Sequence, residues 1–128
     1  MKKLQALNKR TAPKSVMPEK IIQFGEGNFL RAFVDWIVWK MNQKTDFNGS
    51  VVVVQPLAGG MVDWINGQDC LYHVNLQGKE NGQPVNTLER IDVISRALNP
   101  YSQNQAFMAL AEQPEMRFII SNTTEAGI

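Results

Sequence analysis

The chain has 128 residues, 44% of them hydrophobic and 20% charged, and a formal net charge of +1. That length suffices for one domain with its own core, and the near-neutral balance excludes the clustered basic excess of a nucleic-acid surface. No stretch reaches the roughly 20 apolar residues of a membrane helix, and no apolar run follows Met1, so neither a membrane span nor a signal peptide is expected.

Residues 1–17 are polar and unpatterned and predict a loose N-terminal arm. After Pro18, the apolar run Lys20–Phe24 reads as a strand. It ends on Gly25-Glu26-Gly27, and Asn28 is placed to cap a helix reaching about Gln43. Leu30, Phe33, Ile37 and Met41 form a stripe at helical spacing. Val34, Trp36, Val38 and Trp39 widen it, which predicts a helix buried on two sides. Asn48-Gly49-Ser50 signals a turn. The continuous run Val51–Val54 predicts a strand covered on both faces, as in parallel sheets.

Leu57–Asp69 reads as loop with one short helical turn. Leu71–Gln77 and Val85–Ser95 read as the arms of an antiparallel hairpin closed by Asn81-Gly82, whose residues tolerate the positive φ of a tight primed turn. That hairpin is expected within, or added to, the parallel sheet. A helix over Tyr101–Gln113, with Phe107, Leu110 and Ala111 on its packed side, ends at Pro114. Arg117–Ser121 is a third parallel strand, followed by Asn122-Thr123-Thr124-Glu125-Ala126-Gly127-Ile128. The fold class is α/β: a partial Rossmann-like domain with a mixed, mainly parallel sheet and a hairpin, over residues 18–128.

Strand, Gly25-x-Gly27 turn and helix in that order suit a dinucleotide diphosphate. Glycines let backbone approach phosphate, and the helix start offers unpaired N–H groups. Two features depart from the usual fingerprint. Leu30 stands where the third glycine would be, and the second strand ends on Gln55 rather than on an acid. Gln55 can hydrogen-bond a ribose hydroxyl without repelling a 2′-phosphate, so NAD leads NADP only slightly. Arg31 either reaches a phosphate, braces the glycine loop, or pairs with Asp35 across one exposed helical turn. Glu26 is expected to turn its carboxylate away from phosphate. Asn122–Glu125 should face the same crevice, as a ligand contact, as a helix cap, or as both.

Other residues carry no chemistry on this reading. His73 lacks an acid–base partner, and Cys70 lacks a second cysteine or a paired histidine, so no metal site is expected. A lone cysteine suits a reducing cytosol, which predicts a cytoplasmic protein. Asn48-Gly49-Ser50 and Asn122-Thr123-Thr124 match the glycosylation pattern by chance. Trp36 and Trp39 read as packing.

The block Ile21 through Trp36, the run Val51–Pro56, and the two segments Pro114–Phe118 and Ser121–Ile128 together resemble the mannitol dehydrogenase family of long-chain polyol dehydrogenases. The Gly-x-Gly-Asn-Phe-x-Arg-Ala wording is shared by the whole family. Glu-Gly-Asn-Phe-Leu-Arg-Ala-Phe-Val-Asp-Trp and Ser-Asn-Thr-Thr-Glu-Ala-Gly are particular to its tagaturonate-reducing branch. The resemblance implies an N-terminal NAD-binding domain and a mostly helical C-terminal catalytic domain. It also implies reversible hydride transfer between NADH and the keto group of tagaturonate, giving altronate, in hexuronate catabolism. Cofactor contacts carry over onto Ile21, Ile22, Gln23, Phe24, Gly25, Glu26, Gly27, Asn28, Phe29, Leu30, Arg31 and Ala32, and onto Gln55, Thr124 and Glu125. The family's catalytic lysine, with its asparagine and histidine, has no match here. Residues 1–128 are therefore expected to carry the cofactor-binding part only and not to turn over substrate alone. The alternatives are a mannitol or fructuronate oxidoreductase of the same family, or a non-catalytic nucleotide-binding module. A partial domain should expose apolar surface and self-associate.

Overall fold

The computed structural model describes residues 3–123. Strand β1 (Glu19–Phe24) leads into a π-helical turn (Leu30–Val34) that continues as α1 (Asp35–Lys44). Then come β2 (Ser50–Val54), α2 (Val62–Gly67), the hairpin β3 (Tyr72–Glu80) and β4 (Gln83–Ile91), and β5 (Ile94–Leu98). Helix α3 (Asn104–Ala109), a 3₁₀ turn (Leu110–Glu112) and β6 (Phe118–Ser121) complete the described order.

Four strands form one parallel sheet in the order β5-β2-β1-β6. In chain order this is 3-2-1-4, the arrangement of the first part of a Rossmann-type domain, and the strand order reverses between β1 and β6. Ile21 sits opposite Val51 on one side and Phe118 on the other. β2 is central and fully buried, so its unbroken valine run is the sequence signature of a strand covered on both faces. Alternation along the strands divides the core. Ile21, Val51, Val53, Ile94 and Ala97 pack with Val38, Val62, Ile65 and the hairpin base Tyr72, Val74 and Ile91. Ile22, Val52, Val54 and Leu98 pack on the opposite side with Phe107, Leu110 and Met116.

Several expectations are corrected. The segment Val85–Ser95 is not one strand: it breaks at Asp92, and the chain leaves the hairpin to join the parallel sheet, where Val93 accepts a 2.8 Å hydrogen bond from the Val51 amide. The parallel sheet thus gains β5, and the hairpin stands apart as its own two-stranded sheet. Its turn is as read, with Asn81 and Gly82 at φ +52° and +77°. Helix α3 starts at Asn104, because Asn99 organises a turn first, accepting from the Tyr101 amide at 3.0 Å and from the Gln103 amide at 2.7 Å. Ala111 is exposed, and Ala106 takes its expected place on the packed side. The arm is not loose from residue 8 on. Lys9 and Ser15 donate backbone N–H groups to the carboxylates of Asp69 and Asp92, and the Lys14 ammonium reaches the Asp69 carbonyl.

The first helix departs most. The Asp35 amide bonds back five residues to the Leu30 carbonyl, not four. One extra residue in a turn rotates everything downstream by about 100°. Phe33 and Ile37 therefore face outward, while Leu30, Arg31, Asp35 and Val38 form the buried side. Asn28 is already helical and caps no backbone N–H; its side-chain oxygen accepts from Arg31 instead.

Candidate functional site

The site lies at the carboxyl end of β1, beside the point where strand order reverses. Gly25 adopts φ +132°, and a Cβ there would stand 2.9 Å from Leu30 Cδ1. Only glycine combines that backbone with that neighbour. Leu30, standing where a third glycine would be, is buried and packs down onto the turn. The Gly25 amide donates to Val54 at 3.0 Å, so the ladder with β2 reaches into the turn. Beyond it, the amides of Glu26 and Gly27 donate to no group among the described residues. A Cβ on Gly27 would meet nothing within 4 Å. The two glycines therefore do different work: the first shapes the turn, and the second leaves its face open.

Arg31 is only 7% exposed yet lines the open hollow beside the turn. Its Nε donates to the Glu26 carbonyl at 2.9 Å and its Nη2 to Asn28 Oδ1 at 2.8 Å, so it clasps the loop on both sides of Gly27. The guanidinium lies over the rings of Tyr72 and Trp64, 5.3 and 5.7 Å from their centroids. Of the three roles open to Arg31, bracing is the one its contacts display. The exposed ion pair with Asp35, another of those roles, is not found among the described residues, because the π turn carries Asp35 inward.

Asp35 is fully buried beneath the loop. The Gln23 amide donates at 3.2 Å to Asp35 Oδ2 and at 3.2 Å to the Gly25 carbonyl. Asp35 Oδ1 and Gln23 Oε1 have no hydrogen-bond partner among the described residues. Burial pushes the Asp35 carboxyl up to about 7, against smaller opposing effects of the Gln23 hydrogen bond and the Arg31 charge. Burial likewise pushes the Tyr72 phenol up, with Asp35 adding to the rise and Arg31 opposing it.

Gln55 stands at the mouth of the crevice as a strut, not as an open polar hand. Its amide nitrogen donates to the Leu57 and Ala58 carbonyls at 2.7 and 3.0 Å, and its oxygen accepts from the Val62 amide at 3.1 Å. Glu26 sends its carboxylate across to the same loop. A Cβ on Gly60 would collide with the Gln55 side chain at 2.5 Å and with Glu26 Oε1 at 2.7 Å. Glycine at position 60 is what lets the two loops interlock.

Ile21, Ile22, Gln23 and Leu30 lie buried behind the turn and support it. Phe24, Gly25, Glu26, Gly27, Asn28, Phe29 and Ala32 are half-buried or exposed around it. One hollow of about 390 Å³ is lined by Phe24, Val54, Gln55, Pro56, Pro100, Tyr101 and Asn104, at the carboxyl ends of β1, β2 and β5. Another of about 850 Å³ lies between Asn28, Arg31, Ala32, Trp64, Tyr72 and the arm. Ser121 pairs with Phe24, which brings Asn122 and Thr123 alongside the glycine turn. Thr124 and Glu125 lie outside the described residues. His73 is exposed on β3. Cys70 is buried, its thiol raised first by burial. No cluster of three or more His, Cys, Asp or Glu side chains with metal-holding geometry occurs among the described residues. Sequence reasoning passed over Gly60, Trp64, Tyr72 and the burial of Asp35. The Gly59-Gly60 pair and an acid inside an apolar helix were their visible signals.

Comparison with known proteins agrees with the fold. Residues 19–128 match the model of the mannitol dehydrogenase Rossmann domain. The chain is 76% identical over 125 residues to an altronate oxidoreductase of Phocaeicola vulgatus and 51% identical over 126 residues to one of Bacillus subtilis, covering 98% of this chain each time. It spans 26% of the length of these relatives, about a quarter. Among solved structures, the Pseudomonas fluorescens mannitol 2-dehydrogenase in ternary complex with NAD and D-mannitol superposes with a TM-score of 0.74 at 23% identity, covering 91% of this chain and 26% of that one. A substrate-free D-sorbitol dehydrogenase gives 0.72 at 21% identity, covering 89% of this chain and 24% of its own. By its sequence match, and with a fold to suit, this chain belongs to the mannitol dehydrogenase Rossmann-domain family.

Proposed function

We propose that this chain is the dinucleotide-binding part of an NAD-dependent oxidoreductase that interconverts tagaturonate and altronate. One observation carries the cofactor reading: a glycine turn at the strand-order reversal, with the Glu26 and Gly27 amides unengaged and the face of Gly27 open. Such amides at a helix start receive a diphosphate. In this reading Gly25–Asn28 hold the diphosphate, Arg31 keeps the loop in shape, and the hollow bounded by Phe24, Pro56 and Tyr101 takes one end of the ligand. The bound nicotinamide supplies the hydride; these residues bind and orient it. Thr124 and Glu125 are assigned to the same ligand by the family pattern. The substrate class rests on the names of the high-identity relatives. Gln55 places no carboxylate against a 2′-phosphate, so preference for NADH over NADPH should be modest. The lone buried cysteine suits a reducing compartment, and we place the protein in the cytoplasm.

The test is calorimetry with NADH on the complete polypeptide that carries this chain. Gly27→Ala meets no protein atom, so melting should be unchanged while affinity falls roughly tenfold or more. Equal affinity in both proteins would leave the glycine turn a structural feature only. Mixed with NADH and tagaturonate, residues 1–128 alone should show no loss of absorbance above background.

A further inference from the structure

Asp35 is an acid held where an acid is costly, inside the packing between α1 and β1. Its neighbours there are the Gln23 amide from β1, the Arg31 guanidinium from the π turn and the Tyr72 phenol from β3. Among the described residues only one of its oxygens has a donor, and the Gln23 side-chain oxygen has none. A carboxylate in that place lacks the donors a buried charge requires. A neutral acid removes the charge and turns Oδ1 from an unserved acceptor into a donor. Gln23 links this group directly to the Gly25 carbonyl. The acid is therefore two hydrogen bonds from the turn proposed to cradle a diphosphate, with little water between to screen it.

We propose that Asp35 is a positioning residue for the cofactor turn, and that dinucleotide binding is coupled to a proton held on Asp35. The inference rests on the dinucleotide reading above. A negative charge on Asp35 lies on the same side as the incoming diphosphate and opposes it. A protonated Asp35 leaves the Arg31 charge and the amide dipoles unopposed. By linkage, binding an anion above Asp35 must favour its protonated form, so the complex takes up a proton that the free protein has partly lost.

The test is NADH affinity by calorimetry between pH 5.5 and 8.5, using the complete polypeptide. The wild-type affinity should fall by roughly tenfold across this range, the size of a one-unit difference in Asp35 pKa between free and bound protein. In Asp35→Asn, which keeps the shape and cannot ionise, the slope should disappear. His73→Asn, which removes the one histidine of the sequence and leaves Asp35 in place, should keep it. A second measurement needs no variant: wild-type titrations at pH 7 in buffers of different ionisation enthalpy should show net proton uptake on binding. A wild-type affinity independent of pH, a slope that survives Asp35→Asn, or binding without proton uptake overturns the coupling and leaves the dinucleotide reading intact. Absence of NADH binding at every pH overturns both.

Discussion

The Tyr72 hydroxyl donates a buried 2.6 Å hydrogen bond to the Arg31 carbonyl, joining the hairpin to the helix that starts at the glycine turn. The bond answers a local defect. Changing from five-residue to four-residue spacing after Leu30 skips a carbonyl, and π turns persist where something else supplies the missing partner. Tyr72→Phe keeps the ring beneath the Arg31 guanidinium and strips the donor from a buried acceptor. The expected cost is about 1–3 kcal/mol in urea unfolding. An unchanged midpoint would mean that the carbonyl finds another donor.

Gly25 bears two separate constraints, its φ of +132° and the Leu30 methyl at 2.9 Å. Gly25→Ala should lower stability by roughly 1–3 kcal/mol from the backbone alone, with the contact adding to it. Pairing it with Leu30→Val withdraws the methyl but cannot relieve φ. The double variant should therefore recover only part of the melting temperature, and full recovery would make the contact the whole effect.

The parallel strands were legible because the strand signal here is composition at short range. Val51–Val54 admits one reading, and Lys20–Phe24 before two glycines admits few. Family membership followed from the same stretch. What escaped was decided over distance. Nothing in Asp92-Val93 announces that the chain changes sheets there, since the partner that captures it is Val51. The stripe Leu30, Phe33, Ile37, Met41 is a fair 3.6-residue pattern, yet one added residue in the first turn gives its buried place to Asp35. That exchange depends on Gln23, Arg31 and Tyr72 being ready to receive a polar group. Gln55 was read as free to meet a hydroxyl, because carbonyls of a loop not yet folded leave no mark in the sequence.

Gln55 should therefore report on the loop before it reports on any ligand. Gln55→Glu keeps the size but replaces the donor to the Leu57 and Ala58 carbonyls with a second acceptor. The Val62 amide can still donate to it. We expect Gln55→Glu to speed amide exchange and proteolysis within 57–61 while the β2 amides stay protected. Protection unchanged in that loop would show that Gly60 and Glu26 hold it without Gln55.

Asp35 also gives folding stability a pH dependence. Its pKa is about 7 in the folded protein against an ordinary value of 3.8. The folded state thus keeps a proton that the unfolded chain releases between about pH 4 and 7. Stability from this group is whole below that window, declines as pH rises through it, and is level above about 7. The full decline is on the order of 4 kcal/mol. Asp35→Asn should unfold with a flatter dependence and gain on the wild type toward pH 8, as read from urea midpoints at pH 4, 6 and 8. Parallel curves for the two proteins would place the titration elsewhere.

Strand β6 closes one side of the parallel sheet and pairs only with β1 among the described residues. Phe118 is 52% exposed and Ile119 71%, which puts two large apolar side chains beside unpaired backbone N–H and C=O groups. Such an edge invites another strand. Residues 1–128 alone should sediment as a dimer or larger species at high concentration. Ile119→Lys sets a charge on that edge away from the glycine turn, and should shift the species toward monomer without altering the fold. A wild-type chain that stays monomeric at the highest attainable concentration would show that twist or local side chains already guard the edge. If both proteins associate equally, the contact lies elsewhere, and the outward-facing Phe29 and Phe33, their rings tilted with centroids 5.4 Å apart, are the next surface to charge.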